Sequence, residues 1–303
     1  MDRVLQSFKN LFKCENPFKR HLYYVLLLVL PAIAGSIVSY IDKDTPKTVI
    51  ITLLIVAAIV GVIAIIPAIF TLGYSLKFIK ERLDNVLGFP MFNLDMFKKG
   101  LKLFPLYLTW GLYFAILFLV ILVVPFALVF TFSISGASPV LGTILVILTV
   151  FVELLILMAI CIFFAPFVSY VFIGFAKDEI YRAEYFNPFT IFGYMKKSFK
   201  ETITVALKFI LASFLVNMVS GLLSGSLVVA SVLITATAIM FSPDNADKIE
   251  YQPLVLILLI FITSISSILQ IYGGSLVGFA ATENYVEVYK NLIEEQKISE
   301  VQE

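Results

Sequence analysis

Long stretches without a charged residue or histidine set the pattern of this chain: residues 22–41, 48–76, 103–152, 154–176, 209–243 and 251–282. Crossing about 30 Å of hydrocarbon takes roughly 20 apolar residues at about 1.5 Å of helical rise each. Every one of these runs is long enough. The run 103–152 is too long for one helix, and "TFSISGASP" at 131–139 places Ser, Gly and Pro where a chain turns. Six helical spans are predicted, near 22–41, 50–75, 110–131, 145–173, 209–235 and 254–280. Stretches such as "FAILFLVILVV" at 114–124 do not alternate apolar and polar residues, which argues against the strands of an outer-membrane barrel.

The polar segments between the runs orient the chain. Residues 1–20 carry five Lys and Arg, residues 77–102 six, residues 177–200 five, and the tail after Thr282 two; the intervening loops carry Lys43, Lys47 and Lys248. Retained positive charge marks the cytoplasmic side, so both termini are expected there. The basic start and the "AIA" at 32–34 imitate a secretory signal. The apolar run continuing to Ile41 and the repeat below favour a retained first span.

The basic segments repeat. "PMFNLDMFKKGLK" at 90–102 and "PFTIFGYMKKSFK" at 188–200 share one pattern 98 residues apart, and residues 5–13 supply a third copy. Leu5, Phe8 and Phe12 correspond to Leu94, Phe97 and Leu101 and to Phe192, Met195 and Phe199. Steps of three and four residues put each trio on one helical face, with Lys9, Lys13, Lys98, Lys99, Lys102, Lys196, Lys197 and Lys200 around it. These read as short amphipathic helices lying on the membrane surface, the lysines toward anionic lipid. Asn93 and Thr190 stand where they would cap the second and third copies.

The same register aligns His21, Trp110 and Lys208, a set of interfacial anchors: Trp favours the membrane boundary and Lys snorkels to it. Each unit ends on apolar, Gly, aromatic: "LGYSLK" at 72–77, "IGFAKD" at 173–178, "VGFAAT" at 277–282. The expected fold is all-α, six transmembrane helices in three parallel hairpin repeats, 1–84, 85–182 and 183–290, followed by a frayed acidic tail at 291–303.

Composition agrees. Of 303 residues 60% are hydrophobic and 14% charged, with mean hydropathy +1.00, against about 25% charged in a soluble domain. Cys14 and Cys161, one cytoplasmic and one within a span, suggest neither a disulfide nor a metal site. Within the spans the polar candidates are Glu153, the one intramembrane carboxylate, and Asn217 and Gln270, read as interhelical hydrogen bonds. Gly221 with Gly225, and Gly274 with Gly278, are spaced for close helix packing; Pro31, Pro67, Pro125 and Pro166 predict kinks or breaks. The chain has one His, no HExxH, no phosphate-cradling GxxxxGK[ST] and no GxSxG elbow, so no catalytic site, metal or cofactor is expected.

The segment "LGYSLKFIKERLDNVLGFPMFNLDMFKKGLKLF" at 72–104 resembles a prokaryotic family of integral membrane proteins known as domain of unknown function 4013. The likeness lies in the Gly-Tyr closing a span, the basic helix after it, the Pro before an aromatic and acidic stretch, and the "FKKGLK" ending. It implies a cell-membrane location and supplies no substrate or catalytic residue. After the proline only Asp95 remains of a more acidic family pattern. The functional expectation is a non-enzymatic membrane scaffold that binds anionic lipid or a protein partner at the cytoplasmic face, with no role for nucleic acid. The alternative is a small-solute transporter or channel.

Overall fold

The computed structural model describes residues 2–39, 47–134, 139–241 and 253–302. Nine helices occupy them: α1 Asp2–Leu11, α2 Pro17–Ser39, α3 Lys47–Leu83, α4 Asp95–Ile134, α5 Pro139–Phe163, α6 Ala165–Asp178, α7 Ala183–Phe186, α8 Thr190–Phe241 and α9 Pro253–Gln302. There is no strand among the described residues. Helix satisfies every main-chain group within the segment, which apolar surroundings require. Five helical stretches are long and apolar enough to cross a membrane: Leu54–Leu83, Asp95–Ile121, Ile147–Asp178, Thr190–Leu223 and Ile265–Ile293. The first expected span, 22–41, falls on α2 and is not among these five; residues 40 and 41 lie outside those described.

The described residues are all-helical, as in a membrane protein, and Pro166 marks a break among them. Helix α4 is described to Ile134 and α5 from Pro139; the turn expected at 131–139 falls mostly on residues outside those described. Helix α5 ends at Phe163, and α6 starts with Pro166 in its first two positions, where a missing N–H and fixed φ suit a new helix and not the interior of an old one. Glu179 closes α6 in the left-handed region (φ 55°), its N–H donating to Phe175 O at 2.8 Å.

The repeated basic segments differ from expectation. Only the first is a separate short helix, α1. Residues 95–102 are the opening turns of α4, which runs unbroken for 40 residues: Met96, Gly100, Leu103, Leu106 and Trp110 are buried at steps of three and four, so packing carries the helix through. Residues 192–200 open α8, with a non-helical kink at Ser198. The expected caps differ too. Asn93 accepts the Met96 N–H through its main-chain oxygen, and the Thr190 hydroxyl donates to Glu184 O at 2.7 Å.

Helix α8 holds 43 residues beyond its kink at Ser198 and α9 holds 50, about 65 and 75 Å at about 1.5 Å per residue. Both exceed the 40–45 Å or so of a bilayer with its headgroups. Helix α9 continues through the tail expected to fray, to Gln302.

Two compact units form, residues 1–100 with 208–283, and residues 101–207 with 284–303. In the first, Tyr74, Leu76, Phe78, Phe89, Met96 and Phe279 are buried; in the second, Phe167, Tyr170, Ile173, Phe175, Leu106 and Val286 are. Fully burying one large apolar side chain contributes about 1.5–3 kcal/mol.

Candidate functional site

Two polar clusters sit inside these apolar units, and the first is built on an ion pair. In the first unit Arg82, near the end of α3, is buried, and its Nε donates to Glu283 Oε2 of α9 at 3.0 Å. Asn10 of α1 donates to the other carboxylate oxygen at 2.7 Å. Arg82 also donates to the carbonyls of Val86 and, at 2.9 Å, Gly88, and its guanidinium lies 4.5 Å from the Phe78 ring centre. Gly88 has φ +91°, and a Cβ there would come within 2.9 Å of Cys14 Sγ. Glycine is therefore required where the connector passes the residues that follow α1. One charged pair thus fastens α1, α3, α9 and the α3–α4 connector together.

Beside it lies an aromatic nest. His21 is fully buried, stacked on Phe89 at 4.6 Å and met edge-on by Tyr272 at 4.5 Å, its Nε2 within 3.0 Å of Ser275 Oγ and 3.3 Å of Tyr272 O. Phe279 touches Tyr24, Tyr74, Phe78 and Phe89. Protein, not lipid, encloses the histidine.

In the second unit Tyr170 OH and Thr202 Oγ1 are 2.6 Å apart, and Thr202 donates to Ser198 Oγ at 3.1 Å. Ser198 is the kink of α8, so the hydroxyl chain meets the helix where its geometry departs from ideal. Tyr194, Tyr285 and Tyr289 ring Tyr170. Burial first, then the Asp178 carboxylate, pushes the Tyr185 phenol up to about 12.

Trp110 is buried in that unit, its Nε1 donating to Tyr185 O at 2.9 Å. Trp110→Phe keeps most of the ring and strands a buried carbonyl, and is expected to cost about 1–3 kcal/mol, read as a lower unfolding midpoint in a fixed detergent. Lys208, the third aligned anchor, is exposed. His21 and Trp110 are thus enclosed by protein and Lys208 is exposed, so the three do not act as one set of anchors.

The intramembrane candidates also separate. Glu153 is half-buried on α5, one carboxyl oxygen enclosed and without a hydrogen-bond partner among the described residues. Asn217 is exposed and donates to Ser213 Oγ at 3.2 Å, one turn back on its own helix, so it is not the interhelical bond expected. Gln270 is exposed on α9. Around Gly221, Gly225, Gly274 and Gly278 an added Cβ meets open space: small residues permit a close helix without supplying one. Close approaches occur instead at Gly73, Gly100 and Gly273.

Of the surface lysines, Lys9, Lys13, Lys98, Lys196, Lys197 and Lys200 are exposed. Lys99 pairs with Asp95 at 3.7 Å and Lys102 with Glu179 at 2.9 Å. Among the described residues no group of three His, Cys, Asp or Glu side chains is placed to hold a metal ion.

No pattern in the sequence marks Arg82, Glu283 and Asn10 as partners. Arg82 stands among basic residues that read as topology signals, and Glu283 opens an acidic tail 201 residues away. A family model described as "Protein of unknown function (DUF4013)" matches residues 56–228. No curated protein and no solved structure matches the chain.

Proposed function

We propose that this chain, which belongs to the DUF4013 family of proteins of unknown function, is a non-enzymatic membrane platform that holds anionic lipid or a protein partner at its cytoplasmic face. The observation that carries this reading is the mixture on the repeated segments: exposed Lys9, Lys13, Lys98, Lys196, Lys197 and Lys200 alternate with exposed Leu5, Leu94, Leu101, Phe192 and Phe199. Basic side chains near an anionic surface contribute about 1 kcal/mol each, and the apolar ones add burial in the leaflet or in a partner. Polar side chains inside the spans, which a solute pathway needs, are few.

Native mass spectrometry of the protein released from nanodiscs tests this. Retained anionic lipid or a stoichiometric partner is the expected result, reduced when Lys98, Lys99, Lys196 and Lys197 are changed together to Gln. Repeated recovery of the bare protein would sink it.

A further inference from the structure

The two connectors that precede the repeated basic helices share an odd economy. In the first unit, the connector at 84–94 is not helical, yet four of its carbonyls are answered by side chains: Val86 and Gly88 by Arg82, Phe89 by Arg20 at 3.0 Å, Met91 by Lys77 at 2.9 Å. In the second unit, Trp110 and Tyr113 of α4 donate to the carbonyls of Tyr185 and Phe186, each at 2.9 Å. A connector in water needs no such partners, because water supplies them. Irregular backbone at membrane depth does.

Neighbouring rings give the depth. Phe92 packs on Tyr23 at 5.8 Å and on Phe70 at 5.5 Å. Tyr23 is the second residue of the charge-free run beginning at Leu22, and Phe70 lies six residues inside the run ending at Leu76. Trp110 and Tyr113 are about two and three helical turns into the run that begins at Leu103. Each connector therefore folds back alongside helix that is already apolar.

Large apolar side chains nevertheless point away from the protein at the tips. Met91 is 67% exposed and Leu94 79%; Phe189 is 72% exposed and Phe192 51%. The two pairs stand at the same 98-residue offset as the basic repeat, and Lys98 with Lys99, and Lys196 with Lys197, follow in the next turns.

We propose that the two connectors are re-entrant hooks: Met91 and Leu94 of the first, and Phe189 of the second together with Phe192 in the opening turn of α8, insert among the acyl chains of the cytoplasmic leaflet, while the following lysine pairs meet its phosphates. The occupant of these apolar tips is the lipid in which the chain is embedded. The assignment deepens the platform reading and rests on its membrane orientation, but not on any partner.

Nitroxide labels at Met91→Cys and Phe189→Cys, in a Cys14→Ser, Cys161→Ser background in phosphatidylcholine–phosphatidylglycerol nanodiscs, measure it through collision with oxygen against a water-soluble nickel chelate. The expected oxygen-to-nickel ratio rises from that of an Asp84→Cys label toward that of Leu112→Cys or Phe214→Cys. Ratios at 91 and 189 equal to that at 84, or protection only when a second protein is added, overturn the hooks. Because the nitroxide is itself apolar, Met91→Trp and Phe189→Trp provide a second reading: lipids brominated on the upper acyl chain should quench their added fluorescence, and absence of quenching counts against insertion. Water-like tips on a protein that still retains anionic lipid or a partner sink the hooks and leave the platform; embedded tips on a protein that retains neither do the reverse.

Discussion

Arg82→Met is expected to lower unfolding stability by about 3–5 kcal/mol, the range for removing one member of a buried ion pair. The change strips Glu283 of a countercharge and leaves the carbonyls of Val86 and Gly88 without that donor. Each stranded buried acceptor carries a desolvation cost of about 1–3 kcal/mol, and the contact with the Phe78 ring is lost as well. Arg82→Met combined with Glu283→Met should cost less than the two single changes added together, since no charge is then left alone. Lys102 offers the control: its ion pair with Glu179 is as short, 2.9 Å, but its side chain is 54% exposed. Solvent screening holds such a pair to about 0–1 kcal/mol, so Lys102→Gln should change little. Equilibrium unfolding in mixed micelles reads all four variants. An Arg82→Met protein as stable as the parent would mean that the pair does not fasten α1 and α9 to the α3–α4 connector.

Much of this fold can be read from the order of residues, for a physical reason. A membrane helix must satisfy its main chain within one segment, so a charge-free run signals helix without knowledge of its neighbours, although the run 154–176 is shared between α5 and α6. The start of α6 at Pro166 follows from the proline in the same local way. What the sequence does not reveal is which surface each helix presents to protein. His21 and Trp110 illustrate the limit: a ring with an apolar body and a polar tip suits the membrane boundary and suits a packed core with one hydrogen-bond partner. Their alignment predicts lipid contact, whereas the structure buries both rings. The Arg82–Glu283 pair is illegible for another reason, since residues far apart in the chain show no periodic relation. The basic repeats at 90–102 and 188–200 are visible as patterns, but whether they end as free helices depends on packing beyond them: the buried stripe from Met96 to Trp110 joins the second copy to its span. Among the candidate polar residues, the sequence identifies Glu153 by its rarity. Asn217 finds its partner a turn away on its own helix, an outcome that spacing alone would have allowed.

Gly73→Ala should be among the most damaging single-carbon additions in this chain, and Gly100→Ala should match it. A Cβ built on Gly73 comes within 2.6 Å of the Met96 carbonyl carbon and 2.9 Å of Gly100 N; one on Gly100 comes within 2.8 Å of the Ile69 carbonyl carbon. The obstruction in both cases is main chain, with no rotamer to change, so α3 and α4 must move apart. Overpacking usually costs about 1–3 kcal/mol, and a backbone clash belongs at or above the upper end. Both glycines serve one crossing, so the double variant should cost clearly less than the sum of the singles. Gly174 is intermediate: its Cβ would meet Tyr185 Cε1 at 3.0 Å and Tyr289 OH at 3.2 Å, side-chain atoms able to give way. Gly221, Gly225, Gly274 and Gly278 predict the opposite sign, because open space surrounds them and Ala exceeds Gly in helix propensity by about 1 kcal/mol. Ala at any of these should leave stability unchanged or slightly raised. Unfolding midpoints measured in one detergent order the series, and the decisive comparison is Gly73 against Gly278, aligned glycines at corresponding span ends. Equal losses at both would mean that α9 packs as tightly at Gly278 as α3 does at Gly73, and the backbone crossing of α3 and α4 would lose its claim to be the tight joint of the first unit.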